Sequence, residues 1–491
     1  MLSNAWTFIG RYWPLLLILA GLAKTIEHFT GGSAKLFGWG EVFLVTLIII
    51  FGLAIHKAAP FLDSIPTLID WDKGQISIRS LFKEPFQIQE EKDISLKAGG
   101  LLSVQNGRGN VTIVPVADGQ FKIRLNKQVY SETEAEAKKL AEQVQPVVSQ
   151  EEGRTRITVE QVEDTRSHLE ILVPSQCTLQ VESNHGDISA EGLEGTNHSF
   201  RTSNGRISLS RISGGVTASN QNGKIQVENM TGTTGLSSTH GAIEARNISG
   251  DLTVSTAYAS VDIFDIKGNV AVTNSHNSVS VIKTTGKVEV IAPQSKVTIE
   301  DVQGPVRAEA DQREMRITRV ASSVDLRQKN GSTSVERIGS ELKASLEHSN
   351  FTGYDLQGAV QLEAEYSDIR MEKTAGQVNI RNRLRPVSVI DFTSRVQVEN
   401  EDASIYLSSS EPVQQPVQAR TDHGKIEFIQ PENSQFRLAA SSRTGRVHCD
   451  FPQLLPSSAD RNLRTINGEL GSGGPLITLE TTQGSIWIKK K

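Results

Sequence analysis

Glycine recurs at one fixed spacing through the middle of this 491-residue chain, and that spacing constrains the fold more than any other feature. Gly232, Gly250, Gly268, Gly286 and Gly304 lie 18 residues apart, and Gly358 and Gly376 keep the phase. A second row holds Gly205, Gly223, Gly241 and, still in phase, Gly331. Apolar residues follow the same period. One column reads Ile207, Ile225, Ile243, Val261, Val279, Val297, Met315, and its i+2 neighbour begins Leu209, Val227, Ala245. Further columns begin at Ile212, Val216 and Ala218, and Thr202 to Glu399 spans 11 units of 18 residues. Apolar residues at i and i+2 describe a strand with one buried face. Each unit therefore carries two short strands, one turn near an Asn-Gly-like position and one at the second glycine. A run of antiparallel hairpins tolerates loops of varied length, so a phase held this long favours stacked coils. The expected fold is mostly β, a single-stranded β-solenoid with 18-residue coils. At ~4.8 Å per coil, 11 coils span roughly 50 Å.

Composition agrees with a narrow interior. Apolar residues make up 37% and aromatics only 5%, with 40 glycines. A net charge of −5 gives no basic field for holding phosphates, which argues against a nucleic-acid partner. Two cysteines, Cys177 and Cys449, exclude a disulfide-rich scaffold and a cysteine-based zinc site.

Two apolar runs stand near the start, Trp13 to Ala23 and Val42 to Ile55. Extended into their flanks, Ala5 to Ala23 and Leu36 to Ile55 reach spanning length. Trp6, Tyr12, Trp13 and Trp39 sit where an aromatic belt would lie. Residues 1–57 are expected to form a two-helix transmembrane hairpin, which makes the membrane a partner through residues 5–55. A signal peptide cleaved after Ala23 and a pair of buried soluble helices are the competing readings. Positive charges are nearly balanced, with Arg11 and Lys57 on one side and Lys24 and Lys35 in the loop. Lys73 and Arg79 tip the count slightly toward a cytoplasmic C-terminus, and the side of the membrane stays open.

Residues 58–96 read as a linker, and 97–180 as a lead-in β region with one helix at 131–144. Asn106-Gly107 and Asp118-Gly119 are hairpin-turn signals there. Ser131 and Glu134 suit a capping box, Glu134 and Lys138 an i,i+4 pair, and Ala137, Leu140, Ala141 and Val144 a packing face. The regular solenoid is placed at 181–399, and less regular terminal coils at 400–491, with turns at His423-Gly424, Thr444-Gly445, Asn467-Gly468 and Gln483-Gly484.

The segments Leu169–Pro174, Leu179–Ser183 and Gly186–Ile188, followed by G-x-I-x-V and G-x-V-x-V units, resemble the bacterial β-strand-repeat "putative adhesin" domain of unknown function. Gly100–Ile113 with the helix after it fits the same pattern, so the resemblance covers residues 90–490. Arg11–Leu19 (RYWPLLLIL) is similar to the transmembrane region of Lia-type envelope-stress proteins. The resemblance implies a protein integral to the bacterial cytoplasmic membrane, with an adhesion or envelope-stress role, and brings no catalytic residues.

One polar row stands out before the first turn of each unit: Asn204, Asn222, His240, Tyr258, His276, Gln294, Gln312, Asn330, His348 and Tyr366. It reads either as a stripe binding a ligand or metal, or as a turn ladder whose side chains hydrogen-bond along the axis. His240 and His276 lie two coils apart, ~10 Å, too far to share a metal. The ladder is the favoured reading, and no metal or cofactor is expected. No P-loop, H-E-x-x-H or G-x-S-x-G occurs, and Gly107-Arg-Gly109 lacks the third glycine of a dinucleotide loop. Local carboxylate pairs such as Glu300-Asp301 resemble any solvated face. The expected function is therefore non-enzymatic: a membrane-anchored solenoid presenting a rigid surface for binding, adhesion or scaffolding to a protein or glycan partner. The alternatives are a regulatory component of an envelope-stress response, a self-associating polymer former and a glycan-cleaving β-helix.

Overall fold

The computed structural model describes residues 84–93, 100–116, 121–151, 153–454 and 464–491. The expected membrane hairpin, Asp118-Gly119 and the expected linker apart from 84–93 lie outside the described residues. Among the described residues, no helix is long and apolar enough to cross a membrane. The architecture that follows belongs to the second of two compact units, Pro85–Lys491.

It is a β-solenoid. The first strands are β1 (Glu84–Asp93), β2 (Leu101–Arg108), β3 (Val111–Val116) and β4 (Lys122–Ser131). After helix α1 (Glu134–Gln143) come β5 (Pro146–Glu151), β6 (Arg154–Val159), β7 (Thr165–Pro174), β8 (Thr178–His185) and β9 (Ile188–Glu191). From β8 and β9 onward the chain makes about 14 sequential turns, each giving one strand to each of two parallel sheets. Partners differ by 19 residues from β9 to the next strand (Ile188↔Ile207), then by 18 (Ile207↔Ile225, Val216↔Thr234). The step widens to 21 at Val396↔Val417 and Ile405↔Ile426.

All five apolar columns face inward: Ile225, Val227, Met230, Val216 and Ala218 are buried, as are their counterparts along the stack. Burying each such aliphatic side chain is worth about 1.5–3 kcal/mol. The glycine row has a steric cause. A Cβ on Gly268, Gly286 or Gly304 would collide with the carbonyl oxygen of the glycine one coil earlier. Coils can approach this closely at the turn only if that side chain is absent.

Each coil also has a bend that the apolar pattern does not reveal. From Arg211 to Asp391 every eighteenth residue has a left-handed backbone, with φ between 51° and 62°. The bend falls inside the second strand of the coil. In Ile225–Thr231 the burial runs in, out, in, out, out, in, so Asn229 turns the chain and returns Met230 to the core. Asparagine and aspartate accept this conformation readily, whereas Arg211, Lys283, Arg319, Arg337 and Lys373 adopt it at some cost.

The two ends depart from chain order. β2 lies between β6 and β8, and β3 between β7 and β9, so the lead-in residues already form a coil of the stack. Asn106-Gly107 is therefore no hairpin turn, because β2 and β3 sit in different sheets. At the other end Leu476–Gln483 lies between Val417–His423 and Phe436–Ser442, and Ile486–Lys490 lies between Ile426–Gln430 and Val447–Cys449. The last coil in sequence is thus not the last in space. Antiparallel strands flank both ends: β5 on β6, β4 on β7, and Thr465–Leu470 on Phe436–Ser442. Asn467-Gly468 lies inside that last strand, so it is no coil turn.

The helix starts at Glu134 rather than Ser131, and Thr133 caps it by accepting from the Glu136 amide at 3.3 Å. Two overlapping S/T-x-x-E patterns compete here, and Ser131 is the end of β4, its hydroxyl accepting from the Thr133 amide. Glu134 and Lys138 do pair, at 2.9 Å. Ala137 and Ala141 pack with Val129, Phe86 and Ile88 in a small cluster separate from the solenoid core. Beside it the buried Lys127 ammonium donates to Glu90 at 2.6 Å and to the Ala141 carbonyl at 2.9 Å, which fastens β1 to the cap.

Val270→Asp, on an inward column and 1% exposed, should cost more than about 3 kcal/mol, because it buries an unpaired charge. Lys267→Asp, exposed at the neighbouring turn, should shift a denaturation midpoint little. Equal effects would contradict the inward assignment.

Candidate functional site

Three rows of polar side chains follow the solenoid axis, and each is placed by the same register. The outer row lies at the turn after the first strand of each coil. Asn222 donates to Asn204 at 3.0 Å. The Tyr258 ring stacks between His240 and His276, with centroids 5.4 and 4.9 Å away. His348 and Tyr366 stack at 4.6 Å, and Asn330 donates to Asp311 at 3.1 Å. Gln312, Asn330, His348 and Tyr366 have left-handed backbones, whereas after Asn204 and Asn222 a glycine takes that role. The ring of Tyr258 separates the two imidazoles, and no group of three or more metal-ligating side chains occurs among the described residues.

The second row is internal and absent from the sequence reading. It runs Asn106, Ser183, Thr202, Asn220, Ser238, Thr256 and Asn274, all buried. It continues through Ala310, Gln328, Leu346, Ala364, Asn382, Asn400, Thr421, Thr481 and Ser442. These side chains brace the turn beside them. Asn220 donates to the Gly205 carbonyl at 2.6 Å, Asn274 to Ala259 at 2.9 Å and Gln328 to Arg313 at 2.7 Å. Asn106, read as a turn residue, is the first of them and donates to Gly109 and Ser167. The signal was available: the row keeps the 18-residue phase two positions before the outer ladder, disguised by its Asn, Thr and Ala content.

The third row is the left-handed bend. Lys283 donates to Asp265 at 2.7 Å, Asn247 to Asn229 at 3.1 Å, and Arg319 to Asp301 at 2.9 Å. Acid–base pairs and an Asn–Asn pair thus follow one corner, one coil apart. Shallow cavities of about 340 and 300 Å³ follow this corner and share Asp355 and Gln357. A larger groove follows the turn on the other side. One cavity of about 380 Å³ is lined by Arg381, Asn382, Arg383, Glu399, Asn400 and Arg420 among others. A second, about 320 Å³, shares Arg420 and Thr421 and continues to Arg443 and Glu480.

Perturbed titrations sit in surface pairs rather than in a cleft. Hydrogen bonds from Lys287 lower the Glu289 carboxyl, and those from Lys296 and Arg316 lower Glu314. Burial raises the Cys177 and Cys449 thiols and lowers the His168 and His198 imidazoles. The free thiol of Cys177 is pushed up to about 11. His198 takes a core position one coil from Val216, with Phe200 at 6.3 Å. Burial lowers its pKa, partly offset by the nearby Gly195 backbone, and neither ring nitrogen has a well-formed hydrogen bond.

Residues 101–336 match the family model described as Toastrack DUF4097. The chain carries a β-repeat domain of unknown function. Among solved structures, a "putative cell adhesion protein" from Clostridium sporogenes ATCC 15579 is 9% identical, with 83% of this chain and 100% of that chain covered and a TM-score of 0.14. A "putative lipid binding protein" from Parabacteroides distasonis ATCC 8503 is 10% identical, with 60% and 96% covered and a TM-score of 0.18. No curated protein matches the chain.

The buried imidazole makes stability depend on pH with a definite sign. Folding disfavours the charged ring, so the unfolded chain binds the proton more tightly. Stability is full above the ordinary histidine pKa, about 6.5, and falls as pH drops below it. His198→Val, matching Val216 one coil on, should reduce the difference between melts at neutral and mildly acidic pH. An unchanged difference would contradict the assignment.

Proposed function

We propose that this protein is a membrane-anchored, non-enzymatic β-solenoid whose outer faces bind or scaffold a partner in the cell envelope. The observation that carries the reading is the uninterrupted stack. About 14 sequential turns pass without an inserted domain or a long loop closing over a cleft, so the side chains outside form straight axial rows. Rows of this kind suit recognition of an extended partner better than chemistry on a small substrate. Carboxylates along the faces, such as Glu289, Glu314 and Glu347, are held charged by neighbouring bases, which suits a solvated surface more than general acid catalysis. The anchor is the expected hairpin at 1–57, and the family match to 101–336 is compatible with this role.

Polymer formation by end-to-end stacking is a weaker reading. Antiparallel strands flank both ends, and β1 carries Glu90, Glu91 and Lys92 on its length, a pattern that discourages edge pairing. The envelope-stress reading remains compatible with the same anchor.

Membranes washed with alkali should retain the full-length chain and release a variant lacking residues 1–57. Protease added to spheroplasts should then cut the segment before Glu84 and free the solenoid if it serves adhesion. Cleavage only after lysis would place it inside and leave scaffolding. Alkaline extraction of the full-length chain would overturn the anchored reading.

A further inference from the structure

We propose that β1 is a releasable strap: it leaves the end of the solenoid while every coil stays folded, and its departure bares a basic strand edge that the closed state hides. The inference goes beyond the binding reading above and does not depend on it. Side chains alternate along β1. Phe86, Ile88 and Glu90 are half-buried, whereas Pro85, Gln87, Gln89 and Glu91 are exposed. Phe86 and Ile88 pack on Val129, Ala137 and Ala141, a cluster separate from the solenoid core, so the core loses no contact when they leave. The ladders are equally independent. β1 pairs with β4, and β4 pairs with β7 along its length. β2 joins β6 and β8, and β3 joins β7 and β9, without β1.

Charge supplies the rest of the hold. Glu90 meets the Lys127 ammonium at 2.6 Å, and Glu91 lies 3.6 Å from Arg124 and 3.9 Å from Lys122. The strap is therefore acidic where its seat is basic. Its carboxylates stay open to water, with the Glu90 and Glu91 side chains 38% and 48% exposed, so salt competes for these pairs. The seat keeps partners of its own. Lys127 also donates to the Ala141 carbonyl at 2.9 Å, and Arg124 pairs with Glu170 at 3.2 Å. These contacts hold β4 and the helix in place when β1 is off. β1 is also where the chain enters this unit, which begins at Pro85. A pull on the preceding segment therefore reaches β1 before it reaches any coil. Release exposes the β4 edge with Lys122, Arg124 and Lys127, backed by Val129 and Ala137, and so turns a displacement of the chain into a new surface.

Hydrogen–deuterium exchange of the full-length protein in detergent, read by mass spectrometry, tests this. Amides of β1 should be protected, yet exchange about tenfold or more faster than those of β4 and β6 to β9. Raising the salt concentration should speed exchange in β1 and leave β4 unchanged. Glu90→Gln/Glu91→Gln should speed β1 by about tenfold with the melting transition kept. The salt series needs no variant and decides the matter if the double variant does not fold. Exchange of β1 only together with β4, no protection in β1, or equal responses of both strands to salt overturns the proposal.

Discussion

Parallel strands must exchange hydrogen bonds with the coil before and the coil after, and everything else in this molecule follows from that requirement. A strand can satisfy both neighbours only if each coil repeats the shape of the last. Repetition fixes the 18-residue step, the inward columns and the position of each bend. It also explains the side chains at the turns. A turn buried against its neighbours would leave carbonyls without donors, and the internal row of Asn, Gln, Ser and Thr supplies them. The glycines are the steric counterpart, removing a Cβ where two coils come closest.

A stack of parallel strands has two ends whose hydrogen-bonding groups are unpaired. This chain treats both ends alike. A coil formed by one end of the described chain is inserted between two others, and antiparallel strands then flank the stack. Each inserted strand is paired on both sides, so fraying of the chain's own C-terminal strand requires breaking two ladders. The small cluster around Val129 and the buried Lys127 adds a helix at one of these ends.

The repeat made the core legible from sequence, because apolar residues at i and i+2 in fixed phase admit few alternatives. What was not legible has a common cause. An apolar pattern does not single out polar positions, so Asn106 reads as a turn, and Asn220 and Asn382 are missed as internal braces although those two hold the same phase. The left-handed corner was hidden because Asn229, Lys283 and Arg319 share a backbone and no chemistry. The inserted coils could not be read at all, since local sequence does not record which neighbour a strand chooses. The helix start was ambiguous for a local reason, two capping patterns overlapping by two residues. In the outer row the structure brings His240, Tyr258 and His276 into one stack, a contact that spacing alone suggests but does not orient.

Function follows the same logic. Axial rows of side chains repeat once per coil, and the groove beside Asn382 follows one of them. All of this depends on the coil being the unit of structure. The direct test is a deletion pair compared by circular dichroism and thermal melting. Removing Lys267–Thr284 takes out one 18-residue coil and joins equivalent positions, so the account predicts a β-rich protein with a cooperative melt. Removing only Lys267–His276 places outward residues such as Ser280 and Glu289 on inward columns and should abolish that melt. Equal loss of structure in both variants would contradict the account.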